Sequence, residues 1–153
     1  MKPLLITAEY EAVASWLRNQ VVPWRRMTIA IDGVDHAGKS SLSRFLAWQL
    51  GMPAIESDFA LKPDSPSPAH NADLLGRLIR HRHELDRPAL VEGVFVLRAL
   101  HELQIDPEIV VGVRAKGRTG SHVWQSAFRR YRIEFPRAKL PDYMFKWSPK
   151  NDA

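Results

Sequence analysis

The sequence has no cysteine and no long hydrophobic run. The absence of cysteine excludes disulfides, thiolate nucleophiles and cysteine-type zinc sites. No apolar stretch approaches the roughly 20 residues of a membrane-spanning helix, and the N-terminal residues turn acidic too early for a signal peptide. We therefore expect a cytoplasmic protein without a membrane partner.

The glycine and proline contents are also modest, at 8 and 11 of 153 residues, so the chain has no low-complexity character. It contains no internal repeat. Its length suits one domain spanning residues 1–153, with enough material for a hydrophobic core. The sequence makes no prediction about an oligomeric state.

The formal net charge of +5 is unevenly distributed. Residues 1–113 carry 12 Lys and Arg against 14 Asp and Glu, whereas residues 114–153 carry 10 against 3. Arginines that gather around a polyphosphate would explain this basic third of the chain. Binding of nucleic acid is the alternative explanation.

One stretch matches a phosphate-binding loop. Residues 33–40 read GVDHAGKS, which fits the pattern G-x-x-x-x-G-K-[ST], and Ser41 supplies a second hydroxyl. The β-branched run at 27–31 predicts a strand before it, and the apolar spacing of 41–50 predicts a helix after it. A strand, a glycine loop and a helix in this order are the context that the motif requires.

The residue types of this loop suit a nucleotide. Its glycines allow the backbone to turn N–H groups inward around a phosphate. Lys39 can reach the β- and γ-phosphates, and the Ser40 hydroxyl can ligate Mg²⁺. ATP is favoured over GTP because no guanine-reading Asx-Lys-x-Asp motif is visible. The predicted nucleotide-binding residues are Gly33, Val34, Asp35, His36, Ala37, Gly38, Lys39, Ser40 and Ser41.

Strands and helices are predicted to alternate along the chain, which indicates an α/β fold with a parallel sheet between helices. The predicted strands are 27–31, 53–57, 89–96, 108–113 and 142–147. The predicted helices are 8–19, 41–50, 71–85, 97–103 and 123–135. A proline-rich loop follows the second strand, and the basic, glycine-containing residues 114–122 are a possible lid.

Ligands of such sheets bind at the carboxyl ends of the strands. This rule brings together Asp32, Asp58, Glu92 and Arg114, which end or follow four predicted strands. Asp58 could accept the proton of a substrate hydroxyl. Glu92 interrupts an apolar strand, so a buried partner such as Mg²⁺, Lys39 or a substrate hydroxyl must compensate its charge; a structural salt bridge is the alternative. Asp32 could orient the loop, water or substrate, and a purely structural role is equally consistent with its position.

Several arginines could neutralise the phosphoryl group in transfer. Arg118 is the best placed, since Gly117 and Gly120 flank it in the possible lid. The other candidates are Arg114, Arg129, Arg130 and Arg132.

Three segments resemble the uridine kinase-like branch of the P-loop kinases: IAIDGVDHAGKSSLSRFLAWQLG at 29–51, ESDF at 56–59 and LVEGVFVL at 90–97. The resemblance covers roughly residues 4–113. It implies a three-layer α/β/α P-loop NTPase fold with a five-stranded parallel sheet of order 2-3-1-4-5. It also implies that Asp58 is the base for the acceptor hydroxyl and that Glu92–Gly93 matches the family's Glu-Gly pair.

The sequence therefore predicts a small-molecule kinase that uses ATP and Mg²⁺. Lys39, Asp58 and Arg118 are its predicted catalytic residues, and Ser40 and Glu92 its metal ligands. The acceptor would be a hydroxyl of a nucleoside or a similar metabolite. The alternatives are a nucleotide-binding protein without kinase activity, a nucleotide monophosphate kinase that uses Arg77 and Arg80, and a nucleic-acid-end kinase.

Overall fold

The computed structural model describes residues 6–60 and 70–149. Its helices are α1 (Ala8–Val21), α2 (Lys39–Leu50), α3 (Ala72–Glu84), α4 (Val96–Glu102) and α5 (Gln125–Glu134). Its strands are β1 (Thr28–Asp32), β2 (Ala54–Glu56), β3 (Ala89–Gly93), β4 (Ile109–Ala115) and β5 (Tyr143–Trp147). Most of the predicted proline-rich loop, residues 61–69, lies outside the described residues.

The five strands form one parallel sheet in the order β2-β3-β1-β4-β5. The predicted strand order is therefore confirmed. β1 lies in the centre, where all five of its residues are buried. Burial on both faces is typical of a parallel strand covered by helices on each side.

Alternate residues of the sheet face two separate cores. Ile29 and Ile31 of β1 pack with α1 and α2, and Ala30 between them packs with α3, α4 and α5. This alternation follows from the two-residue repeat of a strand. The result is the predicted three-layer α/β/α arrangement, with two helices on one face and three on the other.

Several element boundaries differ from the prediction. β3 ends at Gly93 rather than residue 96, because Phe95 has a φ of 57° and the chain turns there into α4. β4 continues through Ala115, so the first two residues of the possible lid belong to a strand. Within the described ranges, no helix is long and apolar enough to cross a membrane.

Candidate active site

The predicted phosphate-binding loop connects β1 to α2, and two of its positions have no room for a side chain. A Cβ on Gly33 would lie 2.7 Å from the carbonyl oxygen of Val113. Gly38 has a φ of 96°, and a Cβ there would lie 2.9 Å from the Trp147 ring. Only glycine combines this backbone conformation with such close neighbours.

Lys39 is 5% exposed, and its ammonium group lies against the loop backbone. Its Nζ donates a hydrogen bond to the carbonyl oxygen of Val34 at 2.7 Å. Burial lowers the pKa of Lys39, although the charges of Glu92, Asp58 and Asp32 act in the opposite direction. With Asp35 of the loop itself, four carboxylates therefore act on the Lys39 ammonium group.

Ser40 and Glu92 come together at the base of the loop. The Ser40 hydroxyl donates to Glu92 Oε1 at 2.9 Å, and Glu92 is only 1% exposed. Burial raises the pKa of Glu92. Its other oxygen, Oε2, is buried and has no hydrogen-bond partner among the described residues.

These two oxygen donors fit Mg²⁺. Magnesium in nucleotide sites usually takes one or two protein ligands and keeps several waters. Residues 6–60 and 70–149 contain no group of three or more metal-ligating His, Cys, Asp or Glu side chains. A magnesium ion here would therefore depend on Ser40, Glu92, phosphate oxygens and water.

Asp58 lies beyond the end of β2 in a short 3-10 helix, Ser57–Ala60. Its Oδ1 would be 3.6 Å from a Cβ built on Gly93, the last residue of β3. Its charge also acts on the Lys39 ammonium group. The exposed Asp58 side chain therefore lies at the carboxyl end of β3, on the edge of the sheet where the sequence predicted the site.

Asp32 is a buried carboxylate with a specific partner, Tyr131 of α5. The Tyr131 hydroxyl donates to Asp32 Oδ1 at 2.8 Å and accepts a hydrogen bond from the Leu97 backbone at 3.0 Å. Burial raises the pKa of Asp32 to about 6. Tyr131 thus ties the end of β1 to the start of α4. The sequence had predicted only that this residue lies in a helix, 123–135.

The outer side of the phosphate-binding loop is held by three residues from the C-terminal third of the chain. Trp147 Nε1 donates to the Ala37 carbonyl at 2.7 Å, and Arg118 Nη1 donates to the His36 carbonyl at 2.8 Å. The Arg118 guanidinium also lies 5.3 Å from the centre of the Trp147 ring. The backbone N–H of Ser121 donates to Asp35 at 2.8 Å, and its hydroxyl donates to the same carboxylate.

These contacts place Arg118 beside the loop and identify a further residue, Trp147, that the sequence did not indicate. Arg118 contacts the loop backbone, while its action on a phosphoryl group stays a prediction. The sequence contains no signal for Trp147 beyond its place in the predicted strand 142–147. Its contact with the loop depends on β5 lying beside β4.

A cavity of about 250 Å³ lies next to the loop, between the β4–β5 side of the sheet and α5. Asp32, Gly33 and Val34 line it, but Lys39 and Asp58 do not. Its remaining lining residues are Phe95, Gly112, Val113, Arg114, Ala115, Arg118, Thr119, Gln125, Phe128, Tyr131, Arg132, Ala138 and Met144. The structure therefore brings three of the predicted arginines to one cavity.

The other two candidate arginines, Arg129 and Arg130, do not line this cavity. Arg77, which we considered for a second anion site, forms an ion pair with Asp73 at 3.2 Å on the surface of α3.

No protein-family model and no curated protein matches the chain. A solved structure that is similar to it is described as that of a possible uridine kinase from Bacillus stearothermophilus. The match has a TM-score of 0.59 and 16% sequence identity, and it covers 90% of this chain and 99% of the other. At this identity the likeness shows the fold alone. The chain therefore has a P-loop kinase-like fold.

Proposed function

We propose that this protein is a kinase that transfers the γ-phosphoryl group of ATP to a hydroxyl of a small molecule, such as a nucleoside or a similar metabolite. The observation that carries the proposal is the Ser40–Glu92 pair, in which a buried carboxylate oxygen remains unpartnered among the described residues. A charged oxygen in this position is costly unless a ligand compensates it. The phosphate-binding loop directly beside it makes a magnesium nucleotide the natural ligand.

Each residue of the loop region has a role in this proposal. The loop amides and the Lys39 ammonium group bind the phosphates, and α2 presents its N-terminal N–H groups to them. Ser40 and Glu92 would hold Mg²⁺, which when bound neutralises phosphate charge. Trp147 and Arg118 support the loop from outside through the Ala37 and His36 carbonyls.

The transfer itself needs an acceptor hydroxyl beside the γ-phosphate. The acceptor oxygen forms a bond to the γ-phosphorus while the bond from that phosphorus to the β–γ bridging oxygen breaks, and its electron pair leaves on ADP. Asp58 takes the hydroxyl proton. This role is supported by the position of Asp58 at the end of β3, where its charge acts on Lys39. Arg118 stabilises the phosphoryl group during transfer. The contact of Arg118 with the loop supports this role.

A second candidate function is nucleotide binding without transfer. One observation favours it: the Arg118 guanidinium is already engaged by the His36 carbonyl and the Trp147 ring. In such a protein Arg118 would stabilise the loop and would not act on a phosphoryl group.

The two candidate functions can be distinguished by an assay of ADP release. Release from Mg-ATP is measured over a panel of nucleosides, sugars and other hydroxyl compounds. We expect acceptor-dependent release that Lys39→Ala abolishes while the protein stays folded. Lys139→Ala, the removal of an exposed lysine outside the loop and the possible lid, is the matched control. Turnover that survives in Lys39→Ala would refute the kinase proposal, and stoichiometric nucleotide binding without release for any acceptor would support the second candidate.

Asp58→Asn tests the base. We expect a large fall in kcat with nearly unchanged ATP affinity, because Asp58 is assigned to the acceptor proton rather than to the nucleotide. A loss confined to ATP binding would remove that role.

A further inference from the structure

The cavity beside the loop has a lining and a volume that suit a small molecule. Its walls include the apolar side chains of Phe95, Phe128 and Met144. Pockets for drug-sized ligands measure roughly 300–1,000 Å³. A cavity of about 250 Å³ therefore suits a small metabolite.

The cavity also adjoins the proposed reaction centre. Asp32, which lines it, is paired in register with Gly93 on the neighbouring strand. Asp58 lies against that same Gly93. Neighbouring strands are about 4.8 Å apart, so Gly93, which Asp58 approaches, lies roughly one strand spacing from the wall of the cavity.

The lining of the cavity is strongly basic. Arg114, Arg118 and Arg132 contribute three guanidinium groups, and Asp32 is the only carboxylate among the described residues that line the cavity. Asp32 is 4% exposed and is bonded to Tyr131, so it lies deep in the wall. A ligand that enters the cavity therefore meets an excess of positive charge.

Arg114 and Arg132 have no acidic partner among the described residues, whereas Arg98 and Arg137 do. Arg98 pairs with Glu134 at 3.4 Å, and Arg137 pairs with Asp142 at 2.7 Å. No Asp or Glu within residues 6–60 and 70–149 forms an ion pair with Arg114 or Arg132. Arg114 Nη2 donates to the Lys139 carbonyl at 3.5 Å, and neither guanidinium group is neutralised by an acidic partner among the described residues, so both can bind an anion.

We propose that the acceptor of the phosphoryl group is itself an anion, and that Arg114 and Arg132 bind its phosphate or carboxylate in this cavity. The inference rests on the proposed function. Guanidinium groups bind both oxyanions through paired, charge-assisted hydrogen bonds. The hydroxyl end of the acceptor points past Gly33 and Val34 to the phosphate-binding loop, while the anionic end is held between β4 and α5.

Direct anion binding tests the site without catalysis. The full-length protein is first saturated with Mg²⁺ and a non-hydrolysable ATP analogue, so that the loop is filled. Inorganic phosphate and acetate are then titrated separately, and NMR follows the amides and guanidinium groups that line the cavity. We expect saturable shifts there with at least one anion, and the comparison of the two tells a phosphate site from a carboxylate site.

Variants of the lining arginines locate the effect. Arg114→Ala and Arg132→Ala should each weaken anion binding by about tenfold or more, because each removes charge-assisted hydrogen bonds. Arg132→Lys should retain part of the affinity. Arg130→Ala is the matched control, since Arg130 is an exposed arginine of the same helix that does not line the cavity. The absence of saturable shifts in the cavity, or an equal loss in Arg130→Ala, would overturn the proposal.

Turnover with matched acceptors distinguishes this inference from the proposed function. In pairs such as ribose and ribose 5-phosphate, or glucose and gluconate, the anionic member should have the higher kcat/KM. Arg132→Ala should raise the KM for the anionic acceptor without changing the KM for ATP. Turnover of neutral acceptors alone, unaffected by Arg132→Ala, would overturn the inference and leave the kinase intact. Anion binding without turnover of any acceptor would instead support the site and contradict the kinase.

Discussion

Replacement of Asp32 by asparagine should change the pH dependence of stability. Asp32 is 4% exposed, and burial raises the pKa of its carboxyl group to about 6 from an ordinary value of 3.8. The Tyr131 hydroxyl, the Lys39 ammonium group, the Gly33 backbone N–H and the Arg132 guanidinium all act in the opposite direction and do not overcome burial. The folded protein therefore binds a proton at Asp32 more tightly than the unfolded chain does.

The sign of the effect follows from this difference. A carboxyl group whose pKa is raised on folding contributes stability that is complete below about pH 4 and is lost as the pH rises through about 6. The two pKa values differ by about 2 units, and each unit corresponds to 1.36 kcal/mol, so the loss between pH 4 and pH 7 amounts to about 3 kcal/mol. Asparagine has no such proton, yet its carbonyl oxygen can still accept the Tyr131 hydrogen bond. The stability of Asp32→Asn relative to the natural protein should therefore rise by about 3 kcal/mol over this range.

Urea unfolding followed by tryptophan fluorescence from pH 4 to pH 8 measures the difference. Asp106→Asn, at a side chain that is 96% exposed, controls for the loss of one surface carboxylate. If the difference in free energy of unfolding between Asp32→Asn and the natural protein stays constant from pH 4 to pH 8, the Asp32 carboxyl group titrates alike in the folded and unfolded states. The argument from burial would then be wrong.

Two further predictions concern close contacts around the site. Gly93→Ala should destabilise the protein by about 1–3 kcal/mol, because the new Cβ would lie 1.8 Å from Ser57 Oγ and 3.1 Å from Ser57 Cβ. Urea unfolding measures this loss; Ser57→Ala in the same chain should restore part of it, and an unchanged midpoint for Gly93→Ala would contradict the packing described. Trp147→Phe should lower stability by about 1 kcal/mol and weaken binding of an ATP analogue, because it removes the hydrogen bond to the Ala37 carbonyl. Trp48→Phe, at a side chain that is 72% exposed, is the control, and equal nucleotide affinities in the two variants would argue against a supporting role for Trp147.

The fold and the centre of the site were predictable because their signals are local. The pattern of residues 33–40 needs only neighbouring residues to define a loop between a strand and a helix, and α2 follows it as expected. The buried character of β1, β3 and β4 is visible in their continuous apolar runs. Glu92 stood out for the same reason, since a charge within such a run needs a compensating partner.

The boundaries that were predicted less well depend on contacts outside the segment. β3 ends three residues early because Phe95 adopts a left-handed conformation at the start of α4, where it packs against Phe128 and Tyr131. The extension of β4 to Ala115 depends on its pairing with Trp147 of β5. Neither partner is near in sequence, so no local pattern indicates them.

The sequence by itself determined the α/β class and the loop of residues 33–40 between a strand and a helix, and it predicted which acidic residues the strand ends would bring together, because all of these follow from short-range spacing and the cost of burying charge. Only the tertiary structure decided that Glu92 pairs with Ser40, that Tyr131 holds Asp32, that Trp147 supports the loop and that Arg114 and Arg132 share one cavity. Each of these contacts joins residues from different strands or helices. Their distances are set by the packing of the sheet and its helices, which no single segment encodes.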